Sequence, residues 1–539
     1  MRCRSAFARL SALLLCLLLV TPAGAVPAAR GSGVRHVLLI SVDGLHEVDL
    51  ARCIASGTCP HVAALTRHGV LYSDAMTPRP SDSFPGLLAQ VTGGTPRVTG
   101  VYYDDTFDRA LYPPGSHCSG PPGAEVRLTG YLDRDEHRLD GGAPDLAANS
   151  AEAIDPARLP QRRIGGRCEP LWPHNYLRVN TVFGVLHARG WRTAWIDKHP
   201  AYDILNGPGR PFAGPGANID DFFAPEVHSA LTGANLLRFG AGALRLRNPG
   251  LSFQDSTAAI RLYDGLKLRA LLNEIAGFDH TGRHRVGVPA LYGMDFQSVN
   301  VAEKRPQGGY LNTAGRPSPA LRAAIAFVDR SLGQIVAALQ RSGRLNSTVL
   351  ILSAKSGNAP IDRSRVRIIS ARAVLDPALD ALGPANRFHV ADDVLLEWLT
   401  PAYRSRVAAV IDGLIAAQAA GHDLGIGKFY SGAELTALFG NPRTDPRVPD
   451  FILEPPLGVI YSNHAGKIAE HGGFHEDDRH VALLVATPHR APRIVRRTVQ
   501  TAQIAPTILA LLGLQPRLLQ AVRQEHTGVL PGLGLAARR

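Results

Sequence analysis

Three stretches of this chain carry residue types that could do chemistry together. The run HVLLISVDG (His36 to Gly44) is apolar until it reaches Asp43 and a glycine. A carboxylate placed there must be solvated, paired or metal-bound, because an isolated buried charge is prohibitive. Further on, PSDSFPGLLAQVTGG (Pro80 to Gly94) sets Ser83 in front of an apolar, helix-like segment. A serine hydroxyl is a poor nucleophile until a metal or base lowers its pKa, and a helix start offers backbone donors to an anion. The third stretch, NHAGKIAEHGGFHEDD (Asn463 to Asp478), holds His471 before two glycines that let the backbone bend closely around a bound centre. A metal carboxylate followed by a hydroxyl nucleophile at a helix start suggests hydrolysis of phosphoryl or sulfuryl esters. The plainer alternatives are helix caps at Asp43 and at Ser81 or Ser83, and a polar surface loop around His471.

Other polar groups gather near these three. Asp197, Lys198 and His199 sit at a strand exit, where they could line a pocket or hold it together. Tyr102, Tyr103, Asp104 and Asp105 follow the Ser83 segment; rings there could stack on a leaving group or serve as packing. Lys467, Glu470 and His475 surround His471 as supporting groups.

Such side chains need a scaffold of strand ends and helix starts. Apolar runs predict strands over Val34 to Ser41, Trp191 to Ile196, Ser347 to Ser353 and His480 to Ala486. Helical periodicity predicts Pro60 to His68, Ser83 to Thr92, Thr181 to Arg189 and Gln503 to Leu512. The longest helix runs from Ser318 to Arg341, with Leu321, Ala324, Phe327, Val328, Leu332, Ile335 and Leu339 at helical spacing. Strands alternating with helices argue for an α/β fold whose mainly parallel sheet is covered on both faces. The Gly/Pro-rich tract from Leu111 to Pro170 reads as an inserted loop region or cap, and Pro360 to Gly466 as an inserted subdomain.

The first 25 residues read as a secretion signal: Arg2, Arg4 and Arg9, then the apolar Leu13 to Val20, then Ala23-Gly24-Ala25. No later stretch suits a bilayer span, so a secreted or periplasmic protein without a stable membrane anchor is expected. Cys3 and Cys16 would leave with the signal. Cys53, Cys59, Cys118 and Cys168 then favour two disulfides, most simply Cys53–Cys59 and Cys118–Cys168, over zinc ligation. The net charge of +12 could help attract an anionic substrate. Its basic residues are dispersed, which argues against specific nucleic-acid binding.

VDG with Asp43, SFPG with Ser83 and EHGG with His471 occur in an order that resembles the alkaline phosphatase superfamily. Within it the chain resembles the type I phosphodiesterase/nucleotide pyrophosphatase family, through to APTILALLGL (Ala505 to Leu514). The resemblance implies an alkaline phosphatase-like α/β catalytic domain over residues 26–539. It also implies a divalent metal, zinc foremost, as one or two ions, a covalent phospho-enzyme and a small anionic ester substrate. Ser83 matches the nucleophile, and Asp43, Asp295 and His471 match metal ligands. Gly86, however, stands where the family has asparagine, and Val299, Lys355 and Ser356 stand at ligand positions.

A related bacterial and fungal group, with motifs similar to SDSFPG, VYYDD, DKHPAYDILNGPG and EHGG, resembles the chain more closely. Against that group Lys355 is ordinary, whereas Asp295, Ser356 and Asn358 are substitutions. Lys355 could neutralise the site or bind a substrate oxygen where a second metal would sit, or form a salt bridge to a strand-end carboxylate. Tyr103, Asp104, Lys198 and His199 are the substrate-binding candidates. The reading is a metal-dependent phosphodiesterase-like hydrolase. An impaired binding scaffold, or a hydrolase of phosphomonoesters, sulfate esters or phosphonates, is the alternative.

Overall fold

The computed structural model describes residues 33–229, 252–371, 378–379, 381, 386–462, 466–487 and 490–535. The expected secretion signal lies outside the described residues, as does Asn463.

Nine strands form the large sheet: β1 His36–Val42, β2 Gly69–Met76, β3 Thr193–Ile196, β4 Asp221–Phe223, β5 Leu291–Phe296, β6 Thr348–Ser353, β7 His480–Ala486, β8 Arg493–Val495 and β9 Val499–Gln500. Their order is β8-β2-β7-β6-β1-β5-β3-β4, with β9 also on β2. From β6 through β1, β5 and β3 to β4 every pairing is parallel. β7 runs antiparallel to both β6 and β2, so the sheet is mainly parallel, as expected, with an antiparallel strand beside β6. This is an alkaline phosphatase-like α/β sheet flanked by helices.

The central strand β1 shows why its sequence is continuously apolar. Val37 and Leu39 enter the core shared with Leu87, Leu88 and Val91 of helix α1, Ser83–Thr92. Leu38, Ile40 and Val42 enter the opposite core, with Leu321, Val328, Leu332 and Ile335 of helix α3, Pro319–Arg341. Alternate side chains of a strand point to opposite faces, so a strand covered on both sides needs apolar residues throughout. α3 starts where Ser318 accepts a hydrogen bond from the Leu321 amide, followed by Pro319 at its first position. Helix α2, Ala259–Ala276, lies between α1 and α3 in the chain.

Residues 111–170 hold a short hairpin of Gln161–Ile164 with Arg167–Pro170, and Ala124–Arg127 pairs with Asp105–Asp108. Leu111, Val126, Leu132 and Ile154 of this stretch join the same core as α1. Further along, Asn386–Ala391, Leu395–Leu399, Phe451–Glu454 and Lys428–Tyr430 build a separate antiparallel sheet in that spatial order. One face of it, with Leu396, Trp398 and Ile452, packs on Tyr102, Tyr103 and Phe474 beside the Ser83 region. Disulfides join Cys53 to Cys59 and Cys118 to Cys168. Among the described residues no helix is long and apolar enough to cross a membrane.

Candidate active site

Four adjacent parallel strands end at one edge of the large sheet and deliver charge there. Ser41 of β1 pairs with Asp295 of β5 on one side and Ser353 of β6 on the other. Asp43 follows β1, Lys355 follows β6, and Asp197 and Lys198 follow β3. Backbone bonds continue the alignment: the Asp43 amide donates to Phe296 O at 2.9 Å and the Gly44 amide to Ser356 O at 3.0 Å. Neighbouring strands lie about 5 Å apart, so these side chains must meet.

They meet as ion pairs. Asp43 Oδ2 accepts from Lys198 Nζ at 3.0 Å and from Gln297 Nε2 at 2.9 Å, while Oδ1 accepts from Ser356 Oγ at 3.2 Å. Lys355 Nζ lies 3.2 Å from Asp295 Oδ2, 3.3 Å from Asp197 Oδ1 and 3.9 Å from Asp43 Oδ2, and it donates to the Tyr202 hydroxyl at 2.9 Å. Burial alone would raise the Asp43 pKa, but the Lys198 and Lys355 charges outweigh it and hold Asp43 well below the usual carboxylate range. Burial opposes the charge on each lysine, yet Asp43 keeps Lys198 protonated and Asp197 and Asp295 keep Lys355 so. Asp295 differs: burial, with Asp197 and Asp43 adding and Lys355 opposing, pushes it up to about 7.

Ser83 is the first residue of α1, and the preceding Asp82 caps the helix by accepting from the Phe84 amide at 3.1 Å. The Ser83 Oγ lies 3.3 Å from Lys198 Nζ, 3.4 Å from Asp43 Oδ2 and 3.5 Å from His471 Nε2. Ser81 instead donates to Asp478 O and meets Thr77 Oγ1, both at 2.6 Å, so it anchors the loop. The recess is narrow: Ser83 is 2 %, Lys198 7 % and His471 8 % exposed.

His471 is fixed by its loop. The next residue, Gly472, has φ +102°, and a Cβ there would stand 1.8 Å from the Tyr103 hydroxyl. That hydroxyl reaches His471 O at 3.1 Å and Asp392 Oδ2 at 3.3 Å. The imidazole Nδ1 lies 3.6 Å from Glu470 Oε1 and 3.8 Å from Asp82 Oδ2. Burial and the Lys304 ammonium push the His471 pKa down to about 3, so the ring is neutral around pH 7. Glu470 is paired with both Lys304 and Lys467.

Other expected site residues sit elsewhere. Lys355 is wholly buried, lacks a contact with Ser83, and cross-links strand-end carboxylates, so the ammonium at the serine is that of Lys198. Tyr103 is also wholly buried and braces the His471 loop from beneath, where a leaving group cannot stack on it. His199 turns away from Ser83 to Glu226, 2.8 Å from Nδ1 to Oε2. His475 turns from His471 to Pro455 O at 2.8 Å. The Asp104 carboxyl is surrounded by the charges of Lys198, Glu470 and Lys304. Gln297, which bonds both Asp43 and Asp295, is not among the expected site residues, although it ends the DFQ segment that resembles a motif of the related group.

Residues 37–174 and 220–478 match the family model described as Type I phosphodiesterase / nucleotide pyrophosphatase. The chain belongs to this family. Murine ectonucleotide pyrophosphatase/phosphodiesterase 5 is similar in fold, with a TM-score of 0.53 at 15% identity over 89% of this chain and 96% of that one. An inactive form of the murine protein, in complex with AMP, gives 0.52 at 15% identity over the same shares. The human protein gives 0.50 at 14% identity over 89% of this chain and 95% of its own. No curated protein matches the sequence significantly.

The pair of zinc ions implied for a type I phosphodiesterase does not fit the residues around Ser83. Val299 is buried in the apolar core, Ser356 is a donor to Asp43, and the Lys355 ammonium stands between Asp43 and Asp295. Asp43, Asp295 and His471 do not bring their ligand atoms within 4.8 Å of one another. Among the described residues two other groups do: His199, Glu226 and His228, and His46, Asp49 and Glu303. These candidate groups and family membership together support a metal-dependent phosphodiesterase-like hydrolase.

Gly86 has a steric cause. A Cβ at this position would lie 1.8 Å from the Lys355 carbonyl oxygen. The asparagine of the family motif therefore has no room here, because α1 packs directly on the backbone that carries Lys355.

Proposed function

We propose that this protein is an exported phosphodiester hydrolase that works through a covalent Ser83 intermediate. The observation that carries the reading is the Ser83 hydroxyl set within 3.5 Å of an ammonium, a carboxylate and a neutral imidazole. His471 Nε2 takes the serine proton as Oγ attacks phosphorus. The Oγ–P bond forms while the bond from phosphorus to the leaving oxygen breaks; the leaving alkoxide takes a proton from water, and His471 gives its proton to the hydroxide left behind. A second water then loses a proton to the neutral His471 as it attacks phosphorus, the Oγ–P bond breaks, and His471 hands that proton to the serine oxygen. Lys198 stabilises the oxygen on which charge develops, replacing the motif asparagine that Gly86 excludes.

The charge balance favours diesters. Among the described residues Lys198 is the one ammonium that touches Ser83, while Lys355 is committed to three aspartates. A diester monoanion suits a single contacting ammonium better than a monoester dianion does. The AMP held by the murine relative makes nucleotide diesters sensible second probes. The leader-like residues 1–25 and the two disulfides support export.

The deciding experiment follows hydrolysis of bis(p-nitrophenyl) phosphate and p-nitrophenyl phosphate by leader-free protein, with and without added zinc or manganese, beside Ser83→Ala. Diester turnover that vanishes in Ser83→Ala supports the reading. Full turnover in that variant would overturn it. A binding scaffold without turnover is the second reading, favoured by Val299, Lys355 and Ser356 at the family's ligand positions.

A further inference from the structure

Behind Lys198, and separate from Ser83, lies a second polar centre. His199 Nδ1 stands 2.8 Å from Glu226 Oε2, and His228 Nδ1 stands 3.1 Å from Glu226 Oε1. The two imidazole rings are 5.0 Å apart, centre to centre. Glu226 is wholly buried, His199 is nearly so, and the His228 side chain is 39% exposed, so the centre meets solvent on the His228 side.

A fourth group makes the centre unusual. Asp133 is wholly buried, both of its carboxylate oxygens lack a hydrogen-bond donor, and its carboxyl faces that of Glu226. Two buried carboxyl groups in contact need a cation or a shared proton between them. The imidazoles beside them decide which cation would suit: nitrogen ligands favour a zinc-like transition metal over magnesium or calcium. The spacing of the two histidine nitrogens and the Glu226 oxygens is right for one. Ligands of a tetrahedral ion at about 2.1 Å stand about 3.4 Å from each other, only a few tenths of an ångström beyond the present nitrogen–oxygen separations.

The other His/carboxylate group is already closed. Tyr310 Oη bonds His46 Nδ1 at 2.7 Å, Asp49 Oδ2 at 2.7 Å and Glu303 Oε1 at 2.8 Å. His46 Nε2 bonds Asp477 O at 2.8 Å. That network satisfies itself with a tyrosine at its middle.

We propose that His199, Glu226 and His228, with the Asp133 carboxyl behind Glu226, form a binding site for one zinc-like divalent ion, distinct from the Ser83 centre. The ion ties the exit of β3 to the segment after β4, beside the backbone bond from the Val227 amide to Lys198 O at 3.1 Å. Occupancy of this site is independent of whether Ser83 is the nucleophile, so metal content and turnover fail separately.

The test loads full-length, leader-free protein with zinc, removes unbound ion by desalting, and measures metal per chain by mass spectrometry. Parallel samples carry His228→Ala, Glu226→Gln and Asp43→Asn, each checked for folding by circular dichroism. One zinc per chain is expected in the unaltered protein and in Asp43→Asn, with at least a tenfold loss in His228→Ala and Glu226→Gln. His228 is exposed, so its variant keeps the test decisive should Glu226→Gln misfold. Zinc lost from Asp43→Asn but kept by His228→Ala would overturn the proposal, as would no zinc in the unaltered protein. Equal retention of magnesium or calcium would also count against a nitrogen-rich site.

Discussion

The Lys198 ammonium lies between Asp43 and Ser83, 3.0 Å from the carboxylate and 3.3 Å from the hydroxyl oxygen. One strand-end lysine thereby neutralises the buried acid and faces the Ser83 hydroxyl. Lys198→Ala is expected to lower kcat for a diester by about 10²- to 10³-fold. Lys198→Arg should recover part of the loss, because it restores the charge without the compact ammonium. Steady-state kinetics on correctly folded variants checks both, and unchanged kcat in Lys198→Ala would remove Lys198 from the reaction.

His471 as base, rather than metal ligand, has its own signature. His471→Ala should lower kcat by about 10²- to 10⁴-fold while leaving metal content unchanged. Metal analysis and kinetics on one preparation separate the two roles. Metal loss that tracks the loss of rate would return His471 to a ligand role.

The pH profile follows from the same residue. Because the folded pKa of His471 is pushed down to about 3, its imidazole is neutral throughout the range above that value. The plot of kcat/KM should therefore lack a fall near pH 6.5 as pH drops from 7 towards 4. An acid limb centred near 6.5 that persists in Asp295→Asn would show a histidine of ordinary basicity in control, because Asp295 is itself pushed up to about 7.

Stability should depend on pH through the buried carboxyls. Burial and Glu470 push Asp392 up to about 8, and burial raises Asp478 to about 7. Acids raised above their unfolded values bind extra protons in the folded state, so their contribution is complete below about pH 4. It is lost progressively as pH rises from about 4 and is gone once pH passes 7 to 8. The melting temperature should fall by about 2–4 °C between pH 6 and pH 9, and Asp392→Asn should shrink that fall. Calorimetry at the two pH values decides; an equal fall in the variant would acquit Asp392.

The two disulfides close loops of different length, with sequence separations of 6 and 50 residues. Chain entropy makes the longer loop matter more. Replacing Cys118 and Cys168 with serine should cost about 4 kcal/mol, and replacing Cys53 and Cys59 about 2 kcal/mol. Denaturant titration of the two double variants reports the order, and a reversed order would show that native contacts outweigh loop closure.

Local signals in the sequence determined much of the scaffold. The apolar run before Asp43, the helical face of Ser318 to Arg341 and the capped start at Ser83 each declare themselves within a few residues, and α1 spans Ser83–Thr92 as its pattern implies. Motif order likewise brought Asp43, Ser83 and His471 forward as one site. Tertiary structure alone decided which lysine reaches the serine, since Lys198 and Lys355 both end apolar strands and differ only in the neighbours their strands acquire. It also decided that β7 runs antiparallel, that Gly86 lies against the Lys355 carbonyl, and that Glu226 and His228 join His199. Those facts depend on strand order and on contacts between distant segments, and a periodic pattern of apolar residues records which side of an element is buried without recording what it is buried against.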